Sequence, residues 1–255
     1  MMKNIVTVSF ERHSKKLLNP FNSYSFASQS QFAPLVLAEL PLSIHVLPMC
    51  FVRQDTRYIL AGLLSPMSGE NYFVSPDGRW SGEWTPACFR SYPFHLARSN
   101  DPEKRILCVD ESSGLLSESK GQPMFQLNGQ LSNGLTQVSQ FLQKVEANRE
   151  VTQEAVDALV AADVITEWPV SIKTDSTQMQ VEGLYKCDEA RLVALNDETF
   201  LQLRKAPSLP IAWAQIFSMG NVRIFNHLAK IRAQQKTTEG PDPEMLINND
   251  DMFRF

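Results

Sequence analysis

The sequence lacks most of the patterns that identify a reaction or a cofactor. It has no G-x-G-x-x-G or G-x-x-x-x-G-K-[ST] loop, so the usual phosphate cradles of dinucleotide and nucleoside triphosphate binding are missing. It has no G-x-S-x-G turn for a nucleophilic serine. None of the 4 histidines is followed two residues later by Asp or Glu, and H-E-x-x-H is absent. We therefore predict no cofactor and no metal site.

Basic charge, closely spaced cysteines and long apolar runs are also scarce. The net charge is −4, which disfavours a nucleic-acid-binding surface. The 4 cysteines form no C-x-x-C pair, and we predict reduced thiols. No run of about 18 apolar residues is present, so no integral membrane segment is expected. The first residues lack the features of a signal peptide, which favours a cytoplasmic location. The alternative is export to the cell surface without an N-terminal signal.

Composition divides the chain into three segments. Residues 1–33 are predicted to form an N-terminal strand and a serine-rich connector. Residues 34–235 are predicted to form a single domain, which is long enough to bury a sizeable core. Residues 236–255 are acidic and poor in apolar residues, so we expect a disordered tail.

The first half of the chain favours β-strands. Short apolar runs at residues 50–54 and 58–64 predict an antiparallel hairpin. The S-P-D-G sequence at 75–78 predicts a turn between two further strands, because proline presets φ and glycine accepts a positive φ. The run at 105–110 predicts another strand.

The second half changes to a helical period. We predict helices from Ser132 or Asn133 onward, from Thr152 to Ala162, after the cap Asn196, from the cap Ser208 to Gly220, and after Asn221. Residues 179–185 alternate weakly and predict a return to the sheet. The predicted fold class is α+β, with an antiparallel sheet in the first half and helices mainly from the second half packed on it.

Residues 70–94 carry the most informative pattern in the chain. They read E-N-Y-F-V at 70–74, D-G-R-W at 77–80 and P-A-C-F-R-S-Y-P-F at 86–94. In this pattern the chain resembles the SapC family of bacterial proteins, whose motifs are E-N-x-F-V, D-G-x-W and Y-x-P-A-Y-x-R-R-Y-P-F. The resemblance continues at 108–110, 183–189 and 212–218 and spans roughly residues 34–232. Three departures are Trp84 for Tyr, Cys88 for an aromatic residue and Ser91 for the second Arg.

The resemblance implies an accessory role more than a reaction. The family name implies an association with bacterial surface layers. The resemblance also implies that family members are neighbours of outer-membrane uptake receptors and of flavin-dependent halogenase-like proteins. The resemblance implies no catalytic residues.

Arg90 is the charge with the most unusual sequence environment, because aromatic and proline residues flank it on both sides. It is expected to stack on Trp80, Trp84 or Tyr92, or to pair with a carboxylate such as Glu70 or Asp110. One interpretation is an anion-binding arginine in an aromatic cleft. The interpretation that we favour is a structural arginine that fixes the loop to the sheet. His95 likewise has two interpretations, a site residue or a strand histidine packed beside aromatic residues.

Two hypotheses about function follow from these residues. The first is a non-enzymatic accessory protein that binds a peptide or protein partner in an aromatic groove, within a surface-layer or nutrient-uptake system. Its predicted binding residues are Arg90, Trp80, Trp84, Tyr92, Phe94, His95, Glu70 and Asp110. The second is an enzyme acting on a peptide or small anionic substrate, with Arg90 binding the anion and Glu70, His95 or Asp110 transferring protons. A homodimer is compatible with the first hypothesis.

Overall fold

The computed structural model describes residues 4–99, 101, 104–173 and 178–237 and confirms the α+β class, with antiparallel sheets. Contacts divide these residues into two compact units. The first unit contains the described residues among 1–22 and 89–147, and the second unit contains those among 23–88 and 148–245. The predicted boundaries at residues 33 and 235 stay a prediction, and residues 238–255 of the predicted tail lie outside the described residues.

The first unit contains two three-stranded antiparallel sheets. In one sheet the predicted strand Arg105–Asp110 is central, between Ile5–Thr7 and Phe94–Arg98. In the other, Leu17–Leu18 lies between Leu116–Ser117 and Gln122–Pro123. The unit also contains the helix Phe10–His13 and the 3-10 helix Glu111–Ser113. Its buried core consists of Phe94, Val109, Met124, Leu135, Val138 and Leu142.

The second unit is built on a five-stranded antiparallel sheet. The predicted hairpin is confirmed, with strands Met49–Gln54 and Arg57–Leu63 joined at Asp55, which has a φ of 53°. The sheet order is Ile165–Glu167, Leu184–Cys187, Met49–Gln54, Arg57–Leu63 and Phe32–Pro34. Residues 178–181 correct one expectation, because they pair with Val170–Lys173 in a separate two-stranded ribbon.

The helices of the second unit come mainly from the end of the chain. They are Leu40–Val46, Glu189–Val193, Asp197–Lys205, Ser208–Ser218 and Ile224–Thr237, with 3-10 helices at Ser25–Ala27, Leu37–Glu39 and Met219–Arg223. The predicted cap Asn196 is confirmed, since its side chain accepts a hydrogen bond from the Thr199 N–H. Ser208 is not a cap, because it is the first helical residue and its hydroxyl donates to the Ala206 carbonyl. Gly220 does not close the helix Ser208–Ser218 as predicted, because that helix is capped by Met219 and Gly220 lies inside the 3-10 helix Met219–Arg223.

The long helix Asn133–Ala161 corrects the prediction of two separate helices. Thr152 resembles an N-cap in the sequence, but its hydroxyl donates a 2.6 Å hydrogen bond to the Asn148 carbonyl one turn earlier. The same oxygen accepts a hydrogen bond from the Leu37 N–H, 2.8 Å away. The hydroxyl of this buried threonine therefore has hydrogen-bond partners inside the helix. The helix is continuous because no proline or glycine follows Gly134 within it. Residues 133–147 of this helix belong to the first unit and residues 148–161 to the second.

The described cysteines and helices concern two expectations from the sequence, the reduced state of the thiols and the lack of a membrane-spanning segment. None of the four cysteines, all of which lie in the described ranges, forms a disulfide. Cys50, Cys108 and Cys187 are buried and Cys88 is half-buried. Burial, with the nearby acids Asp188 and Glu189, raises the pKa of the Cys187 thiol to about 12. No helix within the described residues has both the length and the apolarity needed to cross a membrane.

Candidate functional site

Residues of the E-N-x-F-V motif at 70–74 form hydrogen bonds and an ion pair within the second unit. Asn71 is fully buried; its amide donates to the Ala27 carbonyl and its side-chain oxygen accepts from the Phe73 N–H. Arg232 donates to the carbonyls of Asn71 and Val74 at 2.6 and 3.2 Å, and its guanidinium lies 4.9 Å from the Tyr72 ring centre. Glu70 is half-exposed and pairs with Arg232 at 3.7 Å. The motif therefore anchors the helix Ile224–Thr237.

The D-G-x-W motif forms the turn that its sequence predicts. Val74 and Trp80 pair across it, and Gly78 has a φ of +85°. A side chain at Gly78 would collide with the hydroxyls of Ser23 and Ser25, and the Gly78 carbonyl accepts from the Tyr24 N–H at 2.7 Å. The glycine is thus required both by the backbone conformation and by the close approach of another segment.

The predicted aromatic residues Trp80 and Trp84 contact each other and the core of the second unit. The Trp80 indole donates a 2.9 Å hydrogen bond to the Trp84 carbonyl and stacks on Phe73 at 5.3 Å between ring centres. It also packs on Tyr24 at 5.6 Å. Both tryptophans are half-buried. Their described contacts are structural ones within the unit.

The A-W-A-Q-I-F-S motif at residues 212–218 joins the helix Ser208–Ser218 to the sheet. Gln215 is fully buried, and both ends of its amide are bonded. Its oxygen accepts from the Cys187 N–H at 2.8 Å, and its nitrogen donates to the Met49 carbonyl at 3.1 Å. The Ser218 hydroxyl accepts from the Met49 N–H at 3.0 Å. These polar groups pair backbone atoms that the sheet leaves unpaired.

A cavity of about 560 Å³ opens in the first unit, and we call it the groove. Three segments line it. They are residues 18–21, which begin at the last residue of the strand Leu17–Leu18, residues 90–94 of the P-A-C-F-R-S-Y-P-F motif, and one face of the long helix between Gly134 and Lys144. Leu115 and Gln122 complete the lining. The last third of the family-like segment therefore contributes directly to a concave surface.

The floor and walls of the groove are apolar and aromatic. Phe94, Val138 and Phe141 are buried beneath it, with exposed fractions of 2%, 7% and 3%. Tyr92 and Phe21 meet edge to face at 6.1 Å, next to the cis Tyr92–Pro93 peptide bond. Such a floor favours an apolar ligand group.

Arg90 is a buried wall residue of the groove. Its exposed fraction is 7%, and its guanidinium carbon lies 5.0 Å from the centre of the Phe141 ring. Its guanidinium therefore contacts the ring of Phe141, a residue that the sequence analysis did not name, and stacking on Trp80, Trp84 or Tyr92 stays a prediction. Arg90 therefore contributes both packing and positive charge.

The rim of the groove is rich in primary amides. Asn19, Gln122, Gln137 and Gln140 line it, and within the described ranges their side chains form no hydrogen bond with the chain. Gln137, Gln140 and Lys144 are exposed and recur at three- and four-residue spacing, so they share one face of the helix. Each amide has two donor hydrogens and one acceptor oxygen available to a ligand.

Asp110 is held as an ionised carboxylate. Burial raises its pKa, but hydrogen bonds from the hydroxyl and N–H of Ser112 and from the Asn4 N–H, together with the charge of His95, outweigh burial and lower the pKa. Burial, and secondarily Asp110, raises the pKa of Tyr92. A carboxylate in this state is a poor general acid.

The eight predicted site residues are divided between the two units. Arg90, Tyr92, Phe94, His95 and Asp110 belong to the first unit, whereas Trp80, Trp84 and Glu70 belong to the second. Of the first group, Arg90, Tyr92 and Phe94 line the groove. His95 lies in the strand Phe94–Arg98 opposite Cys108.

The predicted site residues include none from the helical and N-terminal parts of the groove. Gln137 and Gln140 directly precede the apolar positions Val138 and Phe141, and Lys144 lies three residues after Phe141. That spacing was a usable signal, because polar residues beside an apolar stripe mark the border of a buried face. Residues 19–21 carried no comparable signal.

Among the described residues, no three His, Cys, Asp or Glu side chains lie close enough to hold a metal ion.

Comparison with known proteins agrees with the sequence resemblance. The SapC family model matches residues 8–224, which is most of the 255-residue chain. No curated protein and no solved structure matches the chain. The match includes the 70–94 segment, the groove-lining helix face and the A-W-A-Q-I-F-S motif. The chain therefore belongs to the SapC family.

Proposed function

We propose that this protein is a non-enzymatic binding protein and that a peptide segment of a partner protein lies in the groove of the first unit. The partner would be a component of a surface-layer or nutrient-uptake system, as the family resemblance implies. The observation that carries the proposal is the groove itself, with its apolar floor and its amide-rich rim. Its volume of about 560 Å³ is within the range of ligand sites.

The chemistry of the rim supports a peptide ligand. A peptide backbone alternates N–H donors and C=O acceptors, and a primary amide pairs with both kinds of group. The apolar floor near Val138 and Phe141 is suited to one apolar side chain of that peptide. Backbone pairing and a side-chain pocket are the usual elements of peptide recognition.

The arrangement of acids and bases supports binding over the enzymatic alternative. Catalysis requires a proton-transferring group within hydrogen-bond reach of the substrate. Among the described lining residues there is no Asp, Glu or His. None of the three proposed proton carriers, Glu70, His95 and Asp110, lines the groove. Glu70 pairs with Arg232 in the second unit, and the pKa of Asp110 is lowered.

Blocking the groove tests the proposal. Peptides would be selected from a displayed random library on the wild-type protein, and their affinities measured by fluorescence anisotropy. Gln137→Trp places a bulky side chain on the rim and should weaken binding by about tenfold or more, because it obstructs the site. Gln143→Trp is the matched control, since Gln143 is exposed on the same helix and does not line the groove.

A second blocking variant tests the groove from another lining position, Gly134. Gly134→Phe should act like Gln137→Trp, whereas Gly134→Ala should not, because a Cβ at this position lies 4.0 Å from the Gln122 side-chain oxygen. Melting temperatures close to the wild-type value would show that the variants are folded. The proposal is wrong if no peptide is selected, or if the selected peptides bind all four variants equally. The cytoplasmic location and the homodimer stay predictions.

A further inference from the structure

The helix Ser208–Ser218 of the second unit presents an entirely apolar face to the outside. Six of its 11 residues are buried, and Ser208, Gln215 and Ser218 are among them. The remaining positions are all apolar and at least partly exposed, and we call them the outer stripe. They are Leu209, Pro210, Trp213, Ile216 and Phe217. They recur at three- and four-residue spacing and therefore share one side of the helix. A surface helix normally has the reverse arrangement, with its polar residues outside.

Hydrogen bonds of the buried polar residues fix this orientation of the helix. Gln215 bonds the Cys187 N–H and the Met49 carbonyl, and the Ser218 hydroxyl accepts from the Met49 N–H. Turning the helix about its axis to bury the outer stripe would break all three hydrogen bonds and leave buried backbone groups unpaired. The outer stripe therefore stays at the surface of the second unit.

Phe217 is the most exposed large side chain of the outer stripe. Its exposed fraction is 66%, and its ring stacks on Trp213 with 5.8 Å between the ring centres. The neighbouring helix Asp197–Lys205 has the usual pattern, since it exposes the polar side chains Glu198 and Gln202 one turn apart. Exposed aromatic residues are enriched where protein partners meet. The outer stripe is therefore a candidate interaction surface.

The composition of the outer stripe favours a second copy of this chain as the partner. Homodimer interfaces are more apolar than interfaces between proteins that associate transiently. In a two-fold symmetric interface the same surface of each copy meets the other, so a stripe without charge brings no like charges together. We infer that two copies form a homodimer through the outer stripes of their Ser208–Ser218 helices. The dimer would form whether or not the groove of the first unit binds a peptide.

The apolar area of these helices is close to what a dimer requires. Leu42 and Leu201 are also exposed, on the helices Leu40–Val46 and Asp197–Lys205, which both pack against Ser208–Ser218. With roughly 200 Å² for each large apolar side chain, the outer stripe and these two leucines expose about 500 Å². A dimer that covers them would bury about 1,000 Å² in total, which is near the lower limit for a specific interface. The dimer is therefore expected to dissociate reversibly on dilution.

Placing a charge on the outer stripe tests the inference. Sedimentation equilibrium of the full chain measures the dissociation constant of the dimer. Phe217→Asp should raise this constant by about tenfold or more, because two carboxylates would enter one apolar interface. Leu127→Asp is the matched control, because Leu127 is a fully exposed apolar residue of the first unit, and it should change the constant by less than about twofold.

Pro210→Asp separates loss of the dimer from loss of the fold. Position 210 lies in the first turn of the helix, where the helix dipole favours an acidic side chain, so this variant should remain folded while it charges the outer stripe. It should weaken the dimer as Phe217→Asp does. The melting temperature of the wild-type protein should rise with protein concentration, and the melting temperatures of both variants should rise less. A wild-type protein that stays monomeric up to about 0.1 mM, or a dimer that neither charge weakens, would overturn the inference.

Discussion

The two units use their polar residues in opposite ways. In the second unit, Gln215, Asn71 and Arg232 bond buried backbone groups of the same unit. In the first unit, rim amides such as Gln140 line a cavity and form no hydrogen bond within the described ranges. The difference separates polar side chains that pair buried backbone groups of the fold from polar side chains that line a cavity.

The largest expected effect compares two helical glutamines. Gln215→Leu leaves the Cys187 N–H and the Met49 carbonyl buried without their partner, and it should lower the free energy of unfolding by about 3 kcal/mol. Gln140→Leu is the matched control and should change it by less than about 0.5 kcal/mol, because Gln140 is exposed. Urea unfolding at neutral pH measures both values. Equal losses would remove the distinction between the units.

A smaller effect is expected from Arg232. Arg232→Met removes two hydrogen bonds to backbone carbonyls and the contact with the Tyr72 ring, so unfolding should become easier by about 2 kcal/mol. Glu70→Gln should cost less than about 0.5 kcal/mol, because the Glu70–Arg232 pair is partly exposed and 3.7 Å apart. Comparable losses for the two variants would mean that the ion pair, and not the backbone contacts, fixes the helix.

The smallest effect is a dependence on pH within the first unit. The folded-state pKa of Asp110 is lowered, so its contribution to stability is complete above the unfolded-state pKa of about 3.9 and is lost as the pH falls through the folded-state value. Asp110→Asn should therefore be less stable than wild type at pH 6, and the difference should shrink below about pH 4. Melting temperatures across this range measure it. A difference that is constant with pH would show that the charge of Asp110 is not what its hydrogen bonds stabilise.

The sequence predicted local structure better than it predicted the site. The hairpin at Met49–Leu63 and the turn at Gly78 were recovered, because alternation and turn residues act over a few positions. The continuity of the helix across Thr152 was not predicted, because the residue type suggests an N-cap, whereas its hydroxyl bonds the Asn148 carbonyl and the N–H of Leu37, which is far away in sequence. The groove combines residues 18–21, 90–94 and 134–144. Only the middle segment carried a recognisable motif, so the rest of the site could not be assembled from one sequence.

The turn glycine Gly78 has a consequence for how substitutions are tolerated. Gly69 also has a positive φ, of 75°, but a side chain there would meet nothing within 4 Å. Asn or Asp, which adopt this conformation more readily than other residues, can therefore replace Gly69 at small cost. At Gly78 the same replacement would push apart the segment around Ser23 and Ser25. In a collection of randomised variants, position 78 should remain glycine while position 69 diversifies, although the two residues have similar φ angles.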